Sequence, residues 1–173
     1  MRFKLAGDYN VSVDEFWTEV FFVPSFVDAL HREGLKYSRY EIVEETVGSD
    51  CARTRTMLAY PTIEVPRALK RILGADLHYR EVANFDPDRR VWRTETSLPR
   101  LGQKVTVKTD MYFTDTSPGH SVRTVEFEVR VKIFGVGRIL EGFIKRTLTD
   151  VYEQARVFTN TWTDNELRGK DTP

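Results

Sequence analysis

Thr124-Val125-Glu126-Phe127-Glu128-Val129-Arg130-Val131-Lys132-Ile133-Phe134-Gly135-Val136-Gly137-Arg138 is the stretch on which the fold turns. Up to Ile133 the period is two: Val125, Phe127, Val129, Val131 and Ile133 share one face, and Thr124, Glu126, Glu128, Arg130 and Lys132 the other. One apolar and one charged face describe an antiparallel sheet covered on one side and solvated on the other. After Gly137 the period becomes helical. Ile139, Leu140, Phe143, Ile144, Thr147, Leu148, Val151, Ala155, Phe158 and Trp162 recur every three or four residues, and Arg138, Glu141, Lys145, Arg146, Asp150 and Glu153 fall on the opposite side. Some 30 residues at 1.5 Å rise give a helix of roughly 45 Å, too long to bury its stripe except along the apolar face of a sheet.

Working outward, Val105, Val107, Met111 and Phe113 alternate with polar residues in a strand over 104–115, joined to the strand at 121–134 by Ser117-Pro118-Gly119. Strands are expected at 2–10, 36–47, 51–60, 78–85 and 90–97, with turns at Gly48-Ser49-Asp50 and Asp86-Pro87-Asp88. Ser12-Val13-Asp14-Glu15 has the spacing of a capping box. It opens a helix carrying Phe16, Trp17, Val20 and Phe21, which Pro24 breaks, and a second short helix then runs to Gly34. Residues 1–167 read as one domain and 168–173 as a disordered tail.

Composition narrows the function. The chain has 173 residues, 40% of them hydrophobic and 12% aromatic, enough for one packed core. Twenty-six basic residues balance 26 acidic ones, so the phosphate-neutralising excess of a nucleic-acid binder is missing. Cys51 is alone, which excludes an internal disulfide, and no Cys/His spacing suggests zinc. The N-terminus carries no signal-like apolar run, and no stretch reaches the ~18 apolar residues of a membrane helix. A cytoplasmic location is expected.

The order of elements is a strand, two short helices, six strands in hairpin succession and one long C-terminal helix. It resembles the START-like (SRPBCC) superfamily, the helix-grip or birch-pollen-allergen fold, over about residues 2–165. In detail it is similar to a bacterial, lipid-binding-like branch, through the strand that passes Gly135-Val136-Gly137 into the long helix and the closing Asn160-Thr161-Trp162. The resemblance implies an α+β helix-grip fold: a curved, antiparallel, seven-stranded sheet wrapped around the C-terminal helix, with an internal cavity for one hydrophobic molecule such as a lipid, sterol or polyketide. Side chains expected to line that cavity are Tyr60, Trp92, Val107, Thr109, Met111, Phe113, Phe127, Val129, Leu140, Phe143, Ile144 and Thr147. Tyr60, Trp92, Thr94, Thr109 and Tyr112 are the polar-tipped candidates for orienting a ligand.

Segment 61–77 is longer than such folds often carry there. Residues 66–74 read as a small amphipathic helix, with Pro66 at its start, Leu69, Ile72 and Leu73 on one side, Arg67, Lys70 and Arg71 on the other, and Gly74 at its end. Ile63, Val65, Arg67, Leu69, Lys70, Arg71 and Leu73 are thus candidates for a lid that touches a membrane transiently; a helix docked on its own domain with a solvated basic face fits the same pattern. No catalytic constellation stands out. No Gly-x-Ser-x-Gly elbow is present, Glu126 and Glu128 lie on the charged face, and His31 suits a helix C-terminus. His78, at a strand start, and Tyr112 are the groups available for proton chemistry. Binding or transport of a hydrophobic molecule by a monomer or dimer, without metal or cofactor, is the leading expectation. A polyketide cyclase/aromatase-like enzyme and a ligand-free interaction module of the same fold remain as alternatives, and an ionisable side chain inside the cavity would favour the enzyme.

Overall fold

Alternation of apolar and polar residues produces seven strands in the computed structural model, which describes residues 1–74 and 76–169. They are β1 (Arg2–Tyr9), β2 (Arg39–Val47), β3 (Arg53–Tyr60), β4 (Tyr79–Asp86), β5 (Val91–Leu98), β6 (Gly102–Ser117) and β7 (His120–Val131). All neighbours are antiparallel, in the order β1-β7-β6-β5-β4-β3-β2, so the first strand returns to the edge of the last hairpin. Register lays the inner face out in cross-strand rows. Met57, Glu81, Thr96, Val107 and Val129 form one, and Arg55, Ala83, Thr94, Thr109 and Phe127 the next.

Four helices cover that face. In α1 (Val13–Glu15) the Ser12 hydroxyl accepts from the Glu15 amide while the Glu15 carboxylate accepts from the Ser12 amide, the capping box expected from the spacing. A π-turn over Phe16–Val20 continues it. Pro24 begins α2 (Pro24–Ala29), which ends in a second π-turn over Leu30–Gly34. Residues 67–73 form α3 (Arg67–Leu73), and α4 (Gly137–Thr163) runs for 27 residues, about 40 Å, along the sheet. Gly135, at a φ of +81°, makes the left-handed turn between β7 and α4, where a side chain would be strained. The ladder ends at Val131, and Phe134 projects fully into solvent.

The two ends of the space between sheet and α4 are packed differently. One is filled by Tyr9, Phe16, Trp17, Phe85, Trp92 and Phe113, with Phe16 and Phe113 centroids 4.0 Å apart and Trp17 and Phe85 4.6 Å apart. Leu69 and Leu73 of α3 close the other against Val105 and Leu140, with Leu98, Leu101 and Ile133 around them. Arg168 donates to the backbone oxygens of Asn10 and Gly119, each at 2.9 Å. Positions 170–173 lie outside the described residues. Among the described residues no helix is long and apolar enough to cross a membrane.

Leu69 is fully buried, whereas Arg67, Lys70 and Arg71 are exposed. Leu69→Ala is therefore expected to cost about 2–5 kcal/mol in urea unfolding. Replacing the three basic residues together by Gln should stay within about 0.5 kcal/mol of wild type. Equal losses in the two variants would contradict this division of α3.

Candidate functional site

Between the two plugs lies a cavity of ≈ 320 Å³. The sheet contributes Met57, Trp92, Val107, Met111, Val125 and Phe127, α4 contributes Leu140, Phe143, Ile144, Leu148 and Val151, and Phe26, Val27 and Leu30 close it from α2. A second depression of ≈ 760 Å³ runs along α4 between residues 33–37 and 62–66. It shares Leu35, Tyr37, Ile63, Phe143, Thr147 and Val151 with the cavity, so the cavity meets the surface there.

One wall is polar. Tyr79 and Glu81 alternate with the outward Arg80 on β4 and therefore face inward with Ala83 and Phe85. Tyr37 reaches Tyr79 from the segment after α2, hydroxyl to hydroxyl at 2.9 Å. Thr96, opposite Glu81 on β5, donates to a carboxylate oxygen at a long 3.4 Å, and among the described residues this is the only hydrogen bond Glu81 accepts. Glu81 keeps some accessible surface, and it lines the cavity. Burial accordingly pushes its carboxyl up to about 7, against the opposing pull of the Arg55 guanidinium and the Thr96 hydroxyl. Arg55, in the next row, is itself held by Glu45 at 2.8 Å and 3.2 Å. Burial raises Tyr37 to about 12 and holds Tyr79 well above the ordinary tyrosine value, so both remain hydroxyl donors.

His31 also lines the cavity. Its Nδ1 lies 2.7 Å from the Val27 oxygen and its ring stacks on Tyr40. Burial lowers its pKa, so the ring is a neutral wall group rather than the helix-terminal cation the sequence suggests. Farther along, Arg123 is buried between the rings of Tyr9 and Tyr152, at 4.8 Å and 4.3 Å, and donates to the Tyr152 backbone oxygen. Among the described residues no cluster of three His, Cys, Asp or Glu side chains is placed to hold a metal ion.

Of the residues expected to line the cavity, the structure brings together Trp92, Val107, Thr109, Met111, Phe127, Leu140, Phe143, Ile144 and Thr147. Three lie elsewhere. Tyr60 is on the outer face, because Arg55, Met57 and Ala59 set the inward phase of β3; it stacks on His78. Phe113 is on the inner face but is absorbed into the aromatic plug, and Val129 is fully covered by its neighbours. His78 sits with Tyr60, its Nδ1 3.1 Å from the Asp76 oxygen, and Tyr112 donates to Glu126 on the charged outer face. Neither takes part in the cavity. From segment 61–77, Ile63 and Leu73 line the cavity, Val65 and Leu69 pack beneath α3, and Arg67, Lys70 and Arg71 face solvent. Sequence reasoning missed Tyr37, Tyr79, Glu81, Thr96 and Arg55. The available signal was the inward phase of Ala83 and Phe85, which carries Glu81 and Tyr79 with it.

A carboxyl whose folded pKa is raised favours folding while it stays protonated. Below the unfolded value of 4.5 both states hold the proton; above about 7 the native state must bury a charge. Stability should therefore fall as pH rises through this window, by about 3 kcal/mol for this one group. Glu81→Gln should remove that component, leaving the variant more stable than wild type at about pH 8 and nearly equal at about pH 4. Parallel pH–stability curves for the two proteins would contradict the burial of Glu81.

The fold has well-defined relatives. Over 96% of this chain and 88% of the other, it superposes with a TM-score of 0.66 and 17% identity on norcoclaurine synthase from Thalictrum flavum, in complex with dopamine and hydroxybenzaldehyde. An aromatase/cyclase from Streptomyces sp. R1128 gives a TM-score of 0.64 at 13% identity, with 100% and 99% of the two chains covered. A START superfamily protein from Mycobacterium smegmatis gives 0.59 at 11% identity over 94% and 99%. At these identities the likeness is one of fold. No curated protein matches the chain in sequence. Residues 5–163 match the family described as protein of unknown function (DUF2505), and the chain, with its START-like helix-grip fold, belongs to that family.

Proposed function

We propose that the protein binds one hydrophobic small molecule between the sheet and α4, with the molecule's polar end against Tyr37, Tyr79, Glu81 and Thr96. The observation that carries this reading is the cavity itself: ≈ 320 Å³ of space, apolar on most sides, with a small convergent set of polar groups on one wall. Sites for small molecules are generally built this way, and the volume lies at the low end of the usual range of about 300–1,000 Å³. It suits a ligand of one to a few rings or a short chain. Covering about 200 Å² of ligand surface at about 25 cal/mol per Å² supplies about 5 kcal/mol toward binding, before the costs of association. Norcoclaurine synthase, which has the same fold, is described in complex with two small molecules.

The ligand enters by the groove along α4, and α3 docks that end on an anionic lipid surface. Phe134 is fully exposed and Ile139 half-exposed, in and just after the turn that follows Ile133, which packs in the α3 cluster. Arg67, Lys70 and Arg71 lie on the solvent side of the same cluster, and the Arg100 guanidinium sits over Gly74 at the end of α3. Exposed apolar residues beside cations are what an acidic membrane interface attracts.

Native mass spectrometry of the purified protein should find a hydrophobic molecule retained. Thr147→Phe, which fills the cavity from α4, should abolish its retention without unfolding the chain. Protein that carries no ligand and takes up no fatty-acid or sterol probe contradicts the reading. Replacing Arg67, Lys70 and Arg71 with Gln, together with Phe134→Ser, should weaken binding to phosphatidylserine vesicles, read by sedimentation, by about 100-fold, since three basic residues at about 1 kcal/mol each amount to about 3 kcal/mol. Unchanged sedimentation would remove the membrane from the account.

A further inference from the structure

The polar wall holds more chemistry than orientation of a ligand needs. Glu81 and Tyr79 lie two residues apart on one strand with both side chains inward, which sets their backbones about 7 Å apart and leaves room for a reacting group between them. Glu81 has one long hydrogen bond, from Thr96. In the Tyr37–Tyr79 pair one hydroxyl proton joins the two oxygens and the other is free to point at a ligand. Resting on the binding reading above, we propose that this wall is a proton-transfer site acting on a hydrophobic carbonyl compound with an acidic C–H beside the carbonyl.

In this step the Glu81 carboxylate takes the proton from the carbon adjacent to the carbonyl. The C–H bond breaks, an O–H bond forms on the carboxyl, and the electron pair passes to the carbonyl oxygen as an enolate. The Tyr79–Tyr37 pair donates a hydrogen bond to that oxygen, where negative charge develops in a site shielded from water. Return of the same proton to the same carbon restores the ketone; replacement of the carboxyl proton by one from solvent before that return exchanges it, and return to a conjugated carbon shifts a double bond. Both outcomes balance without an oxidant or reductant. A base works best with a pKa near the operating pH, and burial holds Glu81 in that range. The charged and titratable groups that line the cavity with it are Arg55 from β3, Tyr79 from its own strand, Tyr37 and His31 from the α2 side, Arg123 from β7 and Tyr152 from α4, with the uncharged Thr96 from β5 beside it; α4 presents no charged group to the cavity. Arg55 is matched by Glu45, and among the described residues no other carboxylate lines the cavity.

The test uses 2-tetralone in D2O. Binding is followed by tryptophan fluorescence, since Trp92 lines the cavity, and exchange of the protons beside the carbonyl by NMR. Wild-type protein should accelerate exchange about 100-fold over buffer, with the rate rising through an inflection near pH 7. Glu81→Gln, at ketone concentrations where fluorescence shows its cavity saturated, should lose the acceleration and the inflection; Tyr79→Phe, likewise saturated, should keep the inflection and exchange about tenfold more slowly. Tetralone that binds but exchanges no faster than in buffer, or a Glu81→Gln variant as fast as wild type, overturns the proposal and leaves the binding reading standing. Absence of both binding and exchange overturns the two together.

Discussion

A curved sheet of seven strands offers more concave apolar surface than one helix can cover, and the rest of the structure answers that mismatch. A single stripe of α4 meets the sheet along about 40 Å. What it leaves uncovered is packed at one end by an aromatic cluster around Phe16, Trp17 and Phe113, and at the other by the aliphatic contacts of α3. Neither plug reaches the middle. The cavity is thus a consequence of how much side-chain volume the sequence places at each level, and the short helices act as its end walls.

Within that gap the physics of a single carboxyl becomes prominent. Placed on the outer face, as Glu126 is, an acid is solvated and meets a lysine across the strands. Placed at Glu81 it faces Met57 and Thr96 across the sheet, with Arg55 engaged by Glu45. The free energy of an enclosed charge is high unless it is paired, and the protein meets this by shifting the ionisation toward neutrality. A ligand that satisfies Glu81 removes part of that cost. Binding energy and proton chemistry at this wall therefore share one origin.

The architecture was largely legible in the chain. The alternation at 124–133, the switch of period after Gly137, the Ser12–Glu15 box and the small helix at 66–74 each correspond to an element with nearly the expected bounds. The site was legible where phase was unambiguous, on β6, β7 and α4, and at Trp92 of β5. On β3, Arg53 and Arg55 point inward while Leu58 and Tyr60 point outward, so an apolar-in rule misplaces Tyr60. On β4 the inward residues include Tyr79 and Glu81, and a polar side chain in an apolar position is what pattern reading discards. Depth was hidden as well. Phe113 and Val129 have the right face, but whether neighbours cover them depends on packing from distant segments. The partners of Glu81 and Tyr79 come from β3, β5 and the segment after α2, contacts that only the folded sheet assembles.

The ionisation of Glu81 tests this account most directly. In the carbon-13 spectrum of protein labelled at the glutamate carboxyl carbons, one resonance, identified by its loss in Glu81→Gln, should titrate with a midpoint near 7. It should shift when a hydrophobic ligand enters the cavity. A Glu81 resonance that titrates in the ordinary carboxylate range and ignores the ligand would contradict the enclosed polar wall on which both binding and proton transfer depend.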